Sequence, residues 1–259
     1  MRIITFNANG IRAAQRKGFF EWLDQQDADV VCIQETKAQI AQLDSTLFFP
    51  EPFHCFYHDA QKKGYSGVAL YSKQKPDDII YGIGINEIDA EGRVIEARFG
   101  KLSVISLYLP SGSSGDERQR FKFSVLDQFR TYLDTLAALG RDIILCGDWN
   151  IAHKPIDLKN WRANQNSSGF LPQERAWLDA LFATKQWVDG FRLVNQDADQ
   201  YTWWSNRGQA WEKNVGWRID YQIISTSLSH AVQTVAIHKP VLKQDSFSDH
   251  APLTINYHY

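Results

Sequence analysis

Between Arg141 and Asn150 the chain reads Arg-Asp-Ile-Ile-Leu-Cys-Gly-Asp-Trp-Asn, an apolar run that stops abruptly in a glycine, a carboxylate and an amide. A short apolar run bounded by a turn signal is the pattern of a core strand. Gly147 is expected to let the backbone swing, so that Asp148 and Asn150 face one pocket beyond the strand end. There Asp148 can accept a proton from water, and Asn150 can donate to an anionic oxygen. Taken alone, Gly-Asp-x-Asn is more often an Asx turn capping a loop. The other strand ends decide between the two readings.

Arg2 to Phe6 reads as a strand that runs into Asn7-Ala8-Asn9-Gly10, followed by a helix expected to continue to about Gln26. Asp29 to Ile33 is a second strand, ending at Gln34-Glu35-Thr36-Lys37. Further strands are expected at Gly67 to Ser72, Arg93 to Phe99 and Leu102 to Leu109, the last ending at Tyr108. Val125, Leu126, Phe129, Tyr132, Leu133 and Leu136 then follow the spacing of one buried helical face, and Gly140 ends that helix. After Asn150 comes a long polar connection, Ile151 to Gly169, rich in Asn and basic residues; such a loop is usually functional. Pro172 starts a helix that puts Trp177, Leu178, Leu181 and Phe182 on one face. The last third carries Tyr201-Thr202-Trp203-Trp204, then Gly216-Trp217-Arg218-Ile219-Asp220-Tyr221 entering a strand Gln222 to Ile224, and a strand Val232 to His238. Ser248-Asp249-His250 precedes the final strand, Ala251 to Tyr257. No repeat, low-complexity tract or linker interrupts the chain, so residues 1–259 are expected to form one domain: a two-sheet sandwich flanked by helices.

The net charge is −2, so any nucleic-acid contact must come from local patches or a bound metal rather than a basic field. Candidate patches are Arg12/Arg16/Lys17, Lys62/Lys63, Arg118/Arg120/Lys122 and Lys154/Lys159/Arg162, each by itself an ordinary solvated face. No apolar stretch is long enough to span a bilayer, and the N-terminus has no signal-like apolar region, so a soluble, cytoplasmic protein is expected. The three cysteines, Cys32, Cys55 and Cys146, are scattered and read as core thiols rather than a disulfide framework or zinc site. Nine tryptophans are more unusual; those beside Asn, Gly and Arg suit stacking on a base or sugar.

Asn7, Glu35, Tyr108, Asp148, Asn150, Asp220, Asp249 and His250 thus all lie at expected strand ends, separated by whole elements. If those ends meet at one rim, carboxylates without cysteine invite a hard cation such as Mg²⁺ or Mn²⁺. Ser248-Asp249-His250 does not read as a serine-hydrolase triad, whose partners meet in space rather than in sequence.

In order along the chain, Thr-Phe-Asn-Ala-Asn-Gly with Asn7, Gln34-Glu35-Thr36-Lys37, Tyr108, Gly147-Asp148-Trp149-Asn150, Gly216-Trp217-Arg218-Ile219-Asp220-Tyr221 and Ser248-Asp249-His250 resemble the motif set of the exonuclease III family of abasic-site endonucleases. The resemblance covers essentially the whole chain and points to the bacterial type. It implies a four-layered α/β sandwich, two mainly antiparallel sheets flanked by helices, that cuts DNA 5′ to an abasic site and trims blocked 3′ ends. It implies Glu35 as principal ligand of Mg²⁺, replaceable by Mn²⁺, with Asn7, Asp249, Asp148 and Asn150 near the metal. By the same carry-over Asp148 orients or deprotonates water, His250 paired with Asp220 and Tyr108 hold the phosphate, and Trp203, Trp217 and Ile219 line a slot for a baseless sugar. Asn164 would meet the phosphate backbone and Arg207 would wedge into the duplex. Asn9 stands where many eukaryotic relatives have Asp, which weakens a second metal ligand there, and Trp203 replaces a Phe found in some members.

The implied partner is double-stranded DNA with abasic sites or blocked 3′ ends, acted on by a monomer with no membrane and no obligate protein partner. Alternatives on the same core are a sibling specialised for 3′-end trimming and a lipid or inositol phosphatase. A catalytically idle damage binder is a third, against which the intact carboxylate set speaks.

Overall fold

Side chains alternate across a strand, so a strand that is apolar at every position needs cover on both faces. The computed structural model, which describes residues 1–43 and 46–259, provides that cover with two sheets and flanking helices. The first sheet takes β1 (Arg2–Asn7), β2 (Val30–Gln34), β3 (His54–His58) and β4 (Val68–Ser72) from the early chain. The second is drawn from one continuous stretch: β5 (Asp78–Tyr81), β6 (Val94–Phe99), β7 (Leu102–Tyr108), β8 (Asp142–Asp148) and β9 (Trp187–Asp189). A small hairpin of β10 (Trp203–Trp204) and β11 (Gly216–Trp217) follows, after which β12 (Asp220–Ser225) returns to the second sheet. Finally β13 (Val232–Ile237) and β14 (Leu253–Tyr257) complete the first.

The sheet orders are β13-β14-β1-β2-β4-β3 and β5-β6-β7-β8-β12-β9. Each has one parallel pair at its centre, β1/β2 and β7/β8, and antiparallel pairs elsewhere. Parallel neighbours need a crossover. The first sheet uses α1 (Ile11–Arg16) and α2 (Phe19–Asp24) for it, and the second, past the one-turn α3 (Asn86–Asp89), uses α4 (Asp116–Ala138). Behind the second sheet α5 (Pro172–Ala183) lies beside α4, and α6 (Gly190–Val194) follows β9.

Alternation along β8 is the key to the layers. Ile144 and Cys146 enter the core between the sheets with Ile3, Cys32, Val104 and Ile255. Ile143 and Leu145 face outward and pack with Val125, Phe129, Leu133 and Leu178. A third cluster, Ile4, Phe6, Phe19, Phe20, Leu23 and Ile33, seals the first sheet beneath α1 and α2. The order is therefore helix, sheet, sheet, helix, the expected four-layered sandwich. Phe129 is fully buried, and truncation to Ala there would cost ~3–5 kcal/mol.

Some local expectations change. The helix expected to run to Gln26 breaks in two because Gly18 sits in the left-handed region at φ 85. Edge strands β3 and β5 carry no clear sequence signal because both are partly exposed and contain polar residues. Lys122, assigned to a basic surface patch, is fully buried, and Arg118 is tied to Glu91 and Tyr65. Cys32 and Cys146 are core thiols as expected, whereas Cys55 on the β3 edge is only half-buried. Among the described residues no helix is long and apolar enough to cross a membrane.

Candidate active site

The side chains of β1, β7, β8 and β12 that point between the sheets become polar at one end. Registration brings Tyr108, Asp148 and Asp220 side by side on three adjacent strands, since Tyr108 pairs with Asp148 and Asp148 with Asp220. Asn7 reaches them from the other sheet: its Nδ2 donates to Asp148 Oδ2 at 2.8 Å. One layer deeper, Gln34 Nε2 donates to Ser106 Oγ at 3.0 Å and Gln222 Nε2 to the carbonyl of Ile3 at 3.0 Å, which fixes the sheets relative to each other. The floor of the site thus inherits the rigidity of two paired sheets.

Gly147 is needed for a reason other than the one expected. It is extended, not left-handed, and a Cβ there would stand 2.0 Å from the carbonyl oxygen of Leu107. The turn comes instead at Asn150, with φ 52. Its backbone N–H donates to Asp148 Oδ1 at 2.8 Å, so the Asx turn does form, and Asn150 Nδ2 donates to the carbonyl of Leu109 at 2.9 Å. Glu35 (φ 55) and Asn9 (φ 44) are left-handed too. Non-glycine residues in that region cost energy and gather where surrounding structure enforces a geometry.

Asp220 Oδ2 lies 2.9 Å from His250 Nδ1, and His250 Nε2 lies 3.9 Å from Asp148 Oδ2. Burial raises the Asp148 carboxyl, and the Asp220 charge adds to this; His250 and the donors Asn150 and Asn7 only partly offset them, leaving it at about 7. For His250 burial disfavours the imidazolium, yet the charge and hydrogen bond of Asp220, with Asp148 and Asp249 behind them, lift it to about 10. Burial and then the Glu35 charge push the Tyr108 phenol well up, against the opposing Arg93, so it stays a donor. Arg93 stacks 4.8 Å from the Tyr108 ring and its Nη1 donates to the Tyr108 carbonyl at 2.7 Å.

Above this floor opens a cleft of about 1060 Å³. Glu35, Tyr108, Asp148, Asn150, Asn164, Trp203, Arg207, Trp217, Ile219, Asp249 and His250 all line it, while Asn7 and Asp220 support it from behind, fully buried. Every site residue expected from the sequence is therefore in or directly beneath one cleft. Trp203 and Trp217 face each other across the β10/β11 hairpin, edge to face at 6.3 Å. Phe170 braces Trp217 at 6.4 Å. Asn164 is held within its loop, its Oδ1 accepting from Ser167 Oγ at 3.2 Å, and Arg207 is exposed at the rim.

Two donor sets can be considered for a cation. One oxygen or nitrogen each from Asp148, Asp220 and His250 lie within 4.8 Å of one another, but the Asp220–His250 hydrogen bond already occupies two of them. The other set is Glu35, Asp148, Asn150 and Asp249, which line the same cleft, with Asn7 behind Asp148. Glu35 makes an ion pair with Lys37 at 2.9 Å. Asp249 is more committed, accepting from Asn9 Nδ2 at 2.9 Å and from Trp203 Nε1 at 3.1 Å. No cysteine lines the cleft, and these carboxylate and amide oxygens fit a hard divalent ion.

Sequence reasoning discounted Asn9 as a second metal ligand and missed its place in the site, where it links Lys37 to Asp249. It also missed the Lys122–Glu174 pair beneath Asn150. A signal existed for the latter: Lys122 precedes Val125, Leu126 and Phe129 at the spacing of the buried face of α4.

Known proteins bear on this geometry. The Endonuclease/Exonuclease/phosphatase family model matches residues 4–250. An exodeoxyribonuclease of Bacillus subtilis is 42% identical over 98% of both chains, and the DNA repair nuclease APEX1 of Danio rerio is 37% identical over 98% of this chain and 81% of its own. The solved structure of an AP endonuclease from Archaeoglobus fulgidus superposes with a TM-score of 0.90 at 28% identity, covering 100% of both chains. With a family model spanning the sandwich and relatives this similar over nearly its full length, the chain belongs to the endonuclease/exonuclease/phosphatase family, on the branch of the exodeoxyribonucleases and abasic-site endonucleases.

Proposed function

We propose that this protein is a DNA-repair phosphodiesterase that hydrolyses the backbone 5′ to abasic sites and also removes 3′ blocks and nucleotides from 3′ ends. The observation that carries the reading is the juxtaposition of the Asp148/Asp220/His250 floor with the Trp203/Trp217 slot in one cleft. Relatives named as an exodeoxyribonuclease and a DNA repair nuclease support the same chemistry.

Asp148, near 7, is basic enough to take a proton from water close to neutral pH, with Asn7 and Asn150 orienting its carboxylate. His250, charged at that pH and aligned by Asp220, donates to an anionic phosphate oxygen, and Tyr108 remains protonated to donate beside it. Glu35 would be the principal ligand of Mg²⁺, with Asn7, Asp148, Asn150 and Asp249 around it and Mn²⁺ as a substitute. When bound, the ion supplies charge that polarises the phosphate and steadies the leaving oxygen.

An abasic sugar has no base edge to read, so selection falls to an apolar slot with room for a bare deoxyribose only. Trp203, Trp217 and Ile219 are its walls. Asn164 meets the phosphate backbone, and Arg207, exposed at the rim, enters the duplex. The protein acts as a monomer of one domain, residues 1–259, on double-stranded DNA in the cytoplasm, at the nucleoid.

The test is cleavage of a duplex carrying one abasic analogue, compared with an undamaged recessed 3′ end, with Mg²⁺ and with EDTA. Metal-dependent incision 5′ to the lesion is the expected outcome. Trimming of 3′ ends alone would replace it with the specialised sibling, and cleavage of neither would overturn the nuclease assignment for this chain.

A further inference from the structure

We infer that Lys122 and Glu174 are positioning residues: their buried ion pair couples the Asp148–Asn150 turn to the loop that braces the Trp217 wall. Both side chains are 0% exposed, with Lys122 Nζ 2.6 Å from Glu174 Oε1. Each reaches past the other to a functional segment. Lys122 Nζ also donates to the carbonyl of Asn150 at 2.7 Å, the left-handed residue of the turn. Glu174 Oε2 accepts from the backbone N–H of Gly169 at 2.7 Å and of Leu171 at 2.9 Å, the end of the long loop. Gln119 Nε2 adds a bond to Glu174 Oε1 at 3.2 Å.

Gly169 is where the two segments touch. Its φ is +91, and a Cβ there would stand 3.1 Å from the Asn150 carbonyl oxygen and 3.3 Å from Trp217 Cζ3. The next residue, Phe170, packs on Trp217. Beside the direct bond from the Ala152 N–H to the Gly169 carbonyl at 2.8 Å, the pair anchors this junction of turn and loop to α4 and α5.

Stability alone is a poor reason for such a pair. Desolvating two charges is expensive, and apolar residues of similar volume commonly do as well or better. What apolar residues cannot supply is a directed bond to the Asn150 carbonyl together with an acceptor for two loop amides. The pair is thus explained by placement, and small misplacements in active sites cost rate steeply.

The proposal rests on the nuclease reading only for its activity readout. The experiment compares the full chain with Lys122→Met/Glu174→Gln, which removes both charges at similar volume, and with Glu174→Asp, which keeps the charge but withdraws it from the loop. Folding is checked by circular dichroism and thermal midpoint. Kinetics on the abasic-analogue duplex are combined with hydrogen exchange at the Gly169 and Leu171 amides. We expect KM to rise and kcat to fall by roughly 10-fold or more each in the double variant. Amide protection at Gly169 and Leu171 should fall by about 10-fold or more in both variants. Folded variants with parental kcat, KM and exchange overturn the inference; should the double variant not fold, Glu174→Asp alone decides. If the parent protein cleaves neither DNA, the nuclease reading fails and exchange decides the coupling by itself.

Discussion

The floor of the cleft and its wall are built on opposite plans. Asn7, Asp148, Asp220 and His250 sit on or beside paired strands, nearly inaccessible, and each is held by a hydrogen bond to another member of the set or to the turn. Trp203 and Trp217 belong to a hairpin of two residues a side, and Asn164 and Arg207 to loops. Groups that must meet a reacting phosphorus need fixed geometry, whereas groups that choose among DNA structures need room to accept or refuse them. Changes to the floor should therefore remove turnover, and changes to the wall should redistribute it among substrates.

The largest effect is expected from Asp148→Asn. Turnover on an abasic duplex should fall on the order of 10³–10⁴-fold while DNA binding, measured by gel shift, stays close to the parent. Near-parental cleavage by a clean preparation would remove Asp148 from the reaction. Next is Asp220→Asn, with a loss of roughly 10²-fold and a pH signature. In the parent Asp220 raises His250 to about 10, so the imidazolium persists through neutral pH. Without that charge His250 loses its proton at lower pH, and the alkaline limb of the rate profile should move to lower pH. A limb that stays in place would separate His250 from the profile.

Trp217→Ala tests the wall. Incision at the abasic analogue should drop about 10- to 100-fold, because the sugar no longer buries its apolar face against an indole, with a smaller change on a recessed 3′ end. Equal loss on both would show that Trp217 supports the floor instead, and an unaffected preferred activity would favour the end-trimming or phosphatase alternative. The smallest effect separates floor and wall by stability. Asp157 lies under the wall, where burial acts against its charge but Arg218 and Arg192 outweigh it and hold its carboxyl at about 2. A depressed carboxylate contributes stability above its unfolded value and loses it as pH falls through the folded one, here from near 4 toward 2. The amount is about 2 kcal/mol. Tryptophan fluorescence should accordingly change before far-ultraviolet circular dichroism on acidification; coincident transitions would mean that wall and floor unfold together.

Much of the floor was legible because strand ends leave a mark: Ile143 to Cys146 announce a strand, and Asp148 follows where no apolar residue belongs. The central strands could be read for the same reason. Asn7, Glu35 and Asp220 could be placed at ends, but nothing local says that these ends converge; registration of β7, β8 and β12 does that. The wall was harder. Trp203 and Trp217 stood out as tryptophans beside polar residues, yet a two-residue hairpin has too little length for periodicity to declare it. Lys122 misleads because a lysine is normally exposed, and its partner Glu174 lies on another helix. Gly147 is necessary for a reason that a local reading cannot see, since a carbonyl on the neighbouring strand excludes its side chain.

The nesting of one sheet inside the other has a consequence for how the protein is made. Residues 78–225 form the whole second sheet, while the first waits for β13 and β14 to join β1. During synthesis Tyr108, Asp148 and Asp220 emerge and can align well before His250 is translated. A nascent chain in which the second sheet has formed thus holds Tyr108, Asp148 and Asp220 without His250. In a chain of this nuclease family the floor of the cleft is therefore closed late, once the segment leading into β14 sets His250 against Asp220.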